Sequence, residues 1–129
     1  MSTTRYSKEY FPAAPVLMVN ITIPGEAPTG NGFSALVDTG SDGTFVPTSI
    51  LEELDLPISY MTNVRAFWGT SLLRMPVHMV DMIVLGSIRL PGIEVVGDDW
   101  GSHIILGRNV LNMLRLHLDG PSETIGVSE

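Results

Sequence analysis

The chain has 129 residues, of which 44% are hydrophobic, and its 7 basic and 14 acidic residues give a formal net charge of −7. This length and apolar content suit one globular domain with a modest core and leave little room for a second. The basic residues are few and scattered, so a surface that neutralises nucleic-acid phosphates is not expected.

The absence of cysteine excludes disulfides, thiolate metal sites and a cysteine nucleophile. The first residues lack the apolar segment of a signal peptide. The longest mostly apolar stretch, residues 75–85, contains His78 and Asp81 and is too short to span a bilayer. We therefore expect a cytoplasmic protein.

The first third of the chain predicts an arm followed by two strands. Residues 1–15 are largely polar and end in a proline-rich segment, which predicts a loosely held N-terminal arm before a domain of residues 16–129. Residues 16–23 and 33–37 are apolar runs typical of strands. Residues 24–32 carry the prolines and glycines of a long hairpin loop.

The segment that follows predicts a short helix over residues 47–56. Thr48 or Ser49 is positioned to cap its N-terminus, because a hydroxyl there can accept a hydrogen bond from a free backbone N–H. Glu52 and Glu53 are expected in its first turn, where the helix dipole favours negative charge.

The rest of the chain predicts short strands joined by turns. Pro91-Gly92 indicates a bulge or a sheet edge. Many short strands with two short helices make an all-β domain. The predicted elements are a hairpin at 63–73 with its tip near Trp68-Gly69-Thr70, strands at 77–85 and 88–96 joined by a Gly86-Ser87 turn, a strand at 103–106, a helix at 109–114, and a last hairpin of residues 116–118 and 124–127.

Two motifs carry the chemical information. The first, Asp38-Thr39-Gly40, follows an apolar run and occurs once; the second is Ile104 to Leu111. Taken alone, the first motif could be only a turn. It could also be a calcium loop, but Gly40 stands at the third loop position and Ser49 at the twelfth, where a bidentate acid is needed.

Together, the segments 36–44 and 104–111 resemble the retroviral-type aspartic proteases, or retropepsins, and most of all their single-domain prokaryotic relatives. The resemblance covers Val16 to Gly120. It implies a closed β-barrel with a flap hairpin and one or two short helices, which works as a homodimer.

The resemblance also assigns roles to single residues. It implies that Asp38 is the catalytic carboxylate and that Thr39 bonds to its symmetry mate across the dimer. Gly40 would leave space and a backbone group for the substrate. Arg108 would pair with Asp42, and the apolar residues around Arg108 predict that this pair is buried.

Substrate contacts are expected from the turn and from the flap. Asp42 and Gly43 follow the catalytic turn, and Gly43 stands where viral members often have another acid. The flap tip would be Phe67-Trp68-Gly69-Thr70, which has one central glycine and two bulky aromatic residues. Pocket size and flap motion are therefore not inherited directly from the viral pattern.

The chemistry of such a dimer follows from two facing carboxylates. They cannot both ionise easily, so they share one proton. The ionised member activates a water, and the protonated member polarises the scissile carbonyl of an extended peptide. No cofactor is expected, and no metal either, because His78, His103 and His117 lack metal-ligand spacing.

Ser41 replaces an alanine common in viral members. A hydroxyl that donates to Asp38 would favour its charged form, which predicts a more acidic activity optimum. The sequence leaves two other functions open. The chain could be a non-catalytic dimeric module that binds extended peptides, or a protease limited to removing its own arm before Val16.

Overall fold

The computed structural model describes residues 1–65 and 71–129. The helices in these ranges are short, and neither is long and apolar enough to cross a membrane. The described elements are β1 (Ser2–Arg5), β2 (Val16–Thr22), β3 (Phe33–Val37), β4 (Thr44–Pro47), α1 (Thr48–Glu53), β5 (Tyr60–Arg65), β6 (Leu72–Val84), β7 (Ile88–Asp98), β8 (Ile104–Leu106), α2 (Arg108–Leu111), β9 (Arg115–Asp119) and β10 (Thr124–Ser128).

Six strands close into a barrel, which confirms the predicted all-β barrel. The larger sheet has the order β2-β3-β8-β4-β7-β6-β5, and β2 also pairs with β6, so the first six strands form a ring. Strand β5 extends the sheet outside that ring by pairing with β6. Most neighbours are antiparallel, whereas β3 with β8 and β4 with β7 are parallel.

The barrel is filled by the apolar side chains that alternate along its strands. In β2, Leu17, Val19 and Ile21 are buried while Met18 between them is exposed, which is the period-two pattern of a strand with one inward face. Full burial of each such side chain stabilises the fold by roughly 1.5–3 kcal/mol. The inward set continues with Ala35, Val37, Val46, Val80, Met82, Val84, Val95, Ile104 and Leu106.

The long β6–β7 hairpin has the predicted bulge. Pro91 and Gly92 lie between Leu90 and Ile93, which pair with residues on either side of Asp81, so two residues of β7 oppose one of β6. The connecting turn has three residues, Leu85 to Ser87, where two were predicted. Leu85 and Gly86 occupy it with φ of 52° and 75°, the positive values that a tight hairpin turn requires.

The first helix differs from its prediction. It ends at Glu53, and neither predicted capping residue caps it: Pro47 stands at the N-cap, and no side chain bonds there. The Thr48 hydroxyl instead donates to Oδ1 of Asp99 at 2.6 Å, so a tertiary contact replaces the cap. No acidic residue lies in the first turn, because Glu52 and Glu53 fall in the last positions of this six-residue helix.

The N-terminal arm is held by the far end of the chain, so the prediction that it is loosely held is wrong. Strand β1 pairs antiparallel with β10, and β10 pairs with β9 on its other side. The backbone N–H of Tyr6 also donates to the carbonyl of Glu123 at 2.9 Å. The predicted last hairpin is confirmed as β9–β10, and its Ile125 and Val127 are buried.

Candidate active site

Asp38 lies where β3 ends, and backbone hydrogen bonds fix that point. Its N–H donates to the carbonyl of Leu106, the last residue of β8, at 3.0 Å. One residue earlier, the N–H of Val37 donates to the carbonyl of Pro15 at 3.1 Å. The carboxylate is therefore carried by a backbone that the barrel itself positions.

The turn after β3 presents the Asp38 carboxylate at the surface. The Ser41 N–H donates to the Asp38 carbonyl at 3.2 Å, and the Gly40 N–H donates to Oδ1 of Asp38 at 3.0 Å. Asp38 is half-buried, whereas Thr39 and Gly40 are exposed. A Cβ on Gly40 would lie 3.2 Å from Oδ1, so glycine keeps this oxygen uncrowded.

The Ser41 hydroxyl does not bond to the Asp38 carboxylate, which corrects the sequence-based expectation. It donates to the Gly43 carbonyl at 2.8 Å. A hydroxyl has one hydrogen to donate, so this bond leaves none for Asp38. Ser41 therefore supports the turn by closing the loop beyond Asp38, and a more acidic activity optimum is not expected from it.

Arg108, in the second motif, is hydrogen-bonded to the turn that follows β3. Its Nη1 donates to the Thr39 carbonyl at 2.8 Å, and its Nη2 pairs with Oδ1 of Asp42. Its backbone N–H donates to the Ser41 carbonyl at 2.9 Å. The predicted pairing with Asp42 is confirmed, but its predicted burial is wrong in the single chain, where the Arg108 side chain is 44% exposed and that of Asp42 is 92% exposed.

A second layer beneath the turn was missed from the sequence. The buried Thr44 accepts a bond from the Gly107 N–H at 3.1 Å and donates to Oδ1 of Asn109 at 2.7 Å. The Asn109 amide then donates to the Glu94 carbonyl at 3.0 Å. These polar residues join both motifs to β7. The signal available in the sequence was a threonine just after the first motif and an asparagine inside the second.

The arms of the predicted flap are present. Strands β5 and β6 pair up to Arg65 opposite Leu72, and the predicted tip residues Phe67, Trp68, Gly69 and Thr70 lie outside the described residues. At the base of the arm, the Tyr60 hydroxyl donates to Oε2 of Glu94 at 2.5 Å. This bond, with the charge of Glu94, raises the pKa of Tyr60 above its ordinary value.

Other acidic residues of the described chain have partners within the fold. Asp42 pairs with Arg108, which disfavours the calcium-loop alternative. Asp98 and Asp99 accept bonds from the Trp100 N–H and the Thr48 hydroxyl. Across residues 1–65 and 71–129, no three histidine or acidic side chains come together as a metal site would require.

The family model described as "gag-polyprotein putative aspartyl protease" matches residues 27–113. No curated protein matches the chain significantly. Solved structures that share the fold include a retropepsin-like aspartic protease from Rickettsia conorii, at 10% identity and a TM-score of 0.63, which covers 99% of this chain and 92% of that one.

Viral structures are similar as well. The protease of simian foamy virus is 20% identical with a TM-score of 0.54, over 76% of this chain and 92% of that one. The EIAV protease, solved with the inhibitor HBY-793, is 20% identical with a TM-score of 0.54, over 85% of this chain and 93% of that one. At these identities the likeness shows a retropepsin-like fold.

Proposed function

Since the chain belongs to the family of "gag-polyprotein putative aspartyl proteases", we propose that it is an aspartic endopeptidase, active as a homodimer, that hydrolyses extended peptides. The water it uses is activated by the paired Asp38 carboxylates of two protomers. The observation that carries the proposal is the fixed placement of Asp38 at an exposed turn, with one oxygen bonded to the Gly40 N–H.

The need for two protomers follows from the chemistry. The chain has one Asp-Thr-Gly motif, and a single carboxylate cannot act as base and acid in the same step. A two-fold axis beside the turn brings a second copy of Asp38 to the first, and the pair then retains one proton. The ionised carboxylate takes a proton from water while the protonated one donates to the peptide carbonyl oxygen.

The neighbours of Asp38 have supporting roles in this proposal. Thr39 is exposed and, beside the proposed axis, would bond to its symmetry mate, and the exposed Gly40 would leave room for the peptide backbone. Asp42 and Gly43 continue the surface along which an extended peptide would lie. Phe67, Trp68, Gly69 and Thr70 are proposed to cover the peptide from the opposite side, where it would add a strand.

Cleavage limited to the N-terminal arm is less consistent with the fold. Removal of the residues before Val16 would delete β1 and leave one edge of β10 unpaired. It would also remove Pro15, whose carbonyl accepts the N–H of Val37 next to the catalytic residue. We therefore propose that peptides other than the arm are the substrates. We also propose a cytoplasmic location, as the sequence suggested.

The decisive experiment compares the wild type with Asp38→Asn on a pool of random peptides at pH 3 to 7, with pepstatin as an inhibitor control. Asparagine keeps the shape of the side chain and its acceptor for the Gly40 N–H but cannot act as a base. We expect loss of cleavage with the fold and the dimer intact by circular dichroism and sedimentation.

Asp55→Asn is the matched control, because Asp55 has a positive φ of 51° that asparagine tolerates. This variant should cleave like the wild type. Cleavage that survives in Asp38→Asn would rule out the mechanism. Peptide binding without cleavage by the wild type would instead favour the non-catalytic module.

A further inference from the structure

The two arms of the predicted flap, β5 and the first part of β6, share a face that continues the inward side of the barrel. In β6, Val80, Met82 and Val84 are fully buried in the core, and side chains two residues apart lie on the same face of a strand. The extra residue of the bulge belongs to β7, so this alternation runs unbroken along β6. Leu72 and Arg74 therefore lie on the inward side.

The pairing of the two arms adds the matching residues of β5. Arg65 is opposite Leu72 and Asn63 is opposite Arg74, with no break in the register. Opposed residues of an antiparallel pair lie on the same face of the sheet. The inner face of the flap arms thus consists of six residues: Met61, Asn63, Arg65, Leu72, Arg74 and Pro76.

Two positive charges lie close together on this inner face. Arg65 and Arg74 are diagonal neighbours across the strand pair, a relationship that places residues about 7–8 Å apart. Both residues are exposed. Because the chain has 14 acidic and only 7 basic residues, two neighbouring arginines without an acid beside them are unexpected on a face that meets only solvent. An anion bound between them would relieve their repulsion.

The surrounding chain does not supply that anion. Neither arginine forms an ion pair within residues 1–65 and 71–129, where the paired arginines are Arg89 and Arg108. No residue of the inner face is acidic. The sequence of residues 66–70, between the two arms, contains no acidic residue either. Both guanidinium groups are therefore available to a negatively charged ligand.

The surface that follows the Asp38 turn can accept such a ligand. A Cβ on Gly43 would have nothing within 4 Å, so there is open space at this position. The carboxylate of the neighbouring Asp42 is paired with Arg108. An acidic side chain is therefore repelled less at this surface than the net charge of −7 alone would suggest.

We propose that Arg65 and Arg74 select extended peptides that direct a glutamate or aspartate side chain at the flap. The inference rests on the proposed function, in which the flap covers a peptide bound at Asp38. Every second side chain of an extended peptide points to the same side, so the acid occupies a fixed position relative to the cleaved bond. Guanidinium groups bind carboxylates with two parallel hydrogen bonds, which a closed flap would shield from water.

Two isosteric peptides test this preference. Cleavage of a random peptide pool near pH 6, where glutamate is ionised, should reveal a position enriched in acidic residues. Two peptides are then compared that differ only in glutamate or glutamine at that position. We expect the wild type to have a kcat/KM about fivefold higher for the glutamate peptide, the upper range for an exposed ion pair. Arg65→Gln and Arg74→Gln should each reduce this ratio, and the double variant should abolish the preference.

Lys8→Gln is the matched control, because it removes one positive charge from an exposed residue of the N-terminal arm. It should keep the wild-type ratio, which separates a local contact from an effect of net charge. Gly43→Asp places a carboxylate in open space across from the flap and should lower the ratio while both arginines remain. Arg65→Glu should favour the same peptide with lysine at the selected position.

Binding to Asp38→Asn separates this inference from the proposed function, because that variant should bind peptides without cutting them. We expect the glutamate peptide to have the lower dissociation constant by fluorescence anisotropy. If the wild type cuts nothing, the peptide pair is derived from peptides that Asp38→Asn retains from the same pool.

Each outcome bears on one proposal or on both. Equal cleavage of the two peptides, or a preference that survives in the double glutamine variant, would overturn the role of the arginines and leave the protease proposal standing. Preferential binding of the glutamate peptide without any cleavage by the wild type would support the arginines and count against the protease. A chain that neither binds nor cleaves any peptide of the pool would overturn both.

Discussion

Gly107 packs directly against the backbone of Gly43. This contact brings the second motif close to the loop that follows Asp38. A Cβ at position 107 would fall far inside contact distance of the Gly43 carbonyl and 2.9 Å from the Ser41 carbonyl oxygen. These neighbours are backbone atoms and cannot rotate away. The glycine therefore sets how closely the two motifs approach.

Gly107→Ala should displace the loop after Asp38. Overpacking of a close contact typically costs about 1–3 kcal/mol of unfolding free energy, and we expect that loss in urea denaturation together with a lower kcat. Gly120→Ala is the control, since nothing lies within 4 Å of a Cβ there and it should stay within about 0.5 kcal/mol of the wild type. Equal stability of the two variants would contradict the close approach.

Arg108→Lys should reduce kcat with little change in stability. Arginine holds the Thr39 carbonyl and Asp42 with two separate nitrogens, whereas a lysine ammonium is a single point charge on a flexible stem. The pair is largely exposed, so its loss should cost at most about 1 kcal/mol by thermal unfolding. An unchanged kcat would show that the arginine does not position the turn.

Ser41→Ala should weaken the turn and leave the acid limb of the pH–rate profile where it is. The hydroxyl bonds to the Gly43 carbonyl, and loss of such a bond costs about 1 kcal/mol. The test is a kcat/KM profile from pH 3 to 7 beside a urea unfolding curve. An acid limb that moves upward would instead support a bond between this hydroxyl and Asp38.

Much of the barrel could be predicted because its signals are local. Alternating burial in residues 16–22 and the Pro91-Gly92 bulge each depend on a few adjacent residues. The contact between the Asp38 turn and the second motif was predictable for a different reason, since Asp38-Thr39-Gly40 and the segment after Ile104 resemble a known pair of motifs. The ion pair between Arg108 and Asp42 followed from that resemblance.

Two of the errors have a common physical cause, because they concern residues whose partners are distant in the sequence. The polar segment Ser2–Arg5 is a strand only because β10 pairs with it. The Thr48 hydroxyl could either cap the helix or bond to a distant residue. In the fold it donates to Asp99. The Ser41 error is of another kind: the hydroxyl bonds to the carbonyl of Gly43, two residues further on, a local contact that competes with a bond to Asp38.

Asp81 shows the same limit most clearly, since in the sequence it was only a polar interruption of an apolar run. In the fold it is buried and accepts bonds from the Gly92 N–H and the Gly25 N–H, both at 2.9 Å. Arg89 pairs with it at 2.8 Å and also donates to the Glu26 carbonyl. The Asp81 carboxylate thus links the loop after β2 to the β6–β7 bulge through hydrogen bonds.

Asp81→Asn should therefore lower stability in a pH-dependent way. The bonds from Gly25 and Gly92, with the nearby Arg89, hold the pKa of Asp81 below its usual value, despite burial. Removing one member of a buried pair costs about 3–5 kcal/mol, and we expect about 3 kcal/mol at pH 7 because the Arg89 side chain is 39% exposed.

The direction of the pH effect follows from the lowered pKa. The unfolded carboxyl titrates near 3.9, so the charged form stabilises the fold above about pH 4, and that stabilisation is lost as the pH falls through the folded pKa. The gap in unfolding free energy between the wild type and Asp81→Asn should thus narrow from pH 4 downward in urea titrations. Asp55→Asn controls for the loss of one negative charge. A gap that stays constant or widens in acid would show that the carboxylate does not act through its charge.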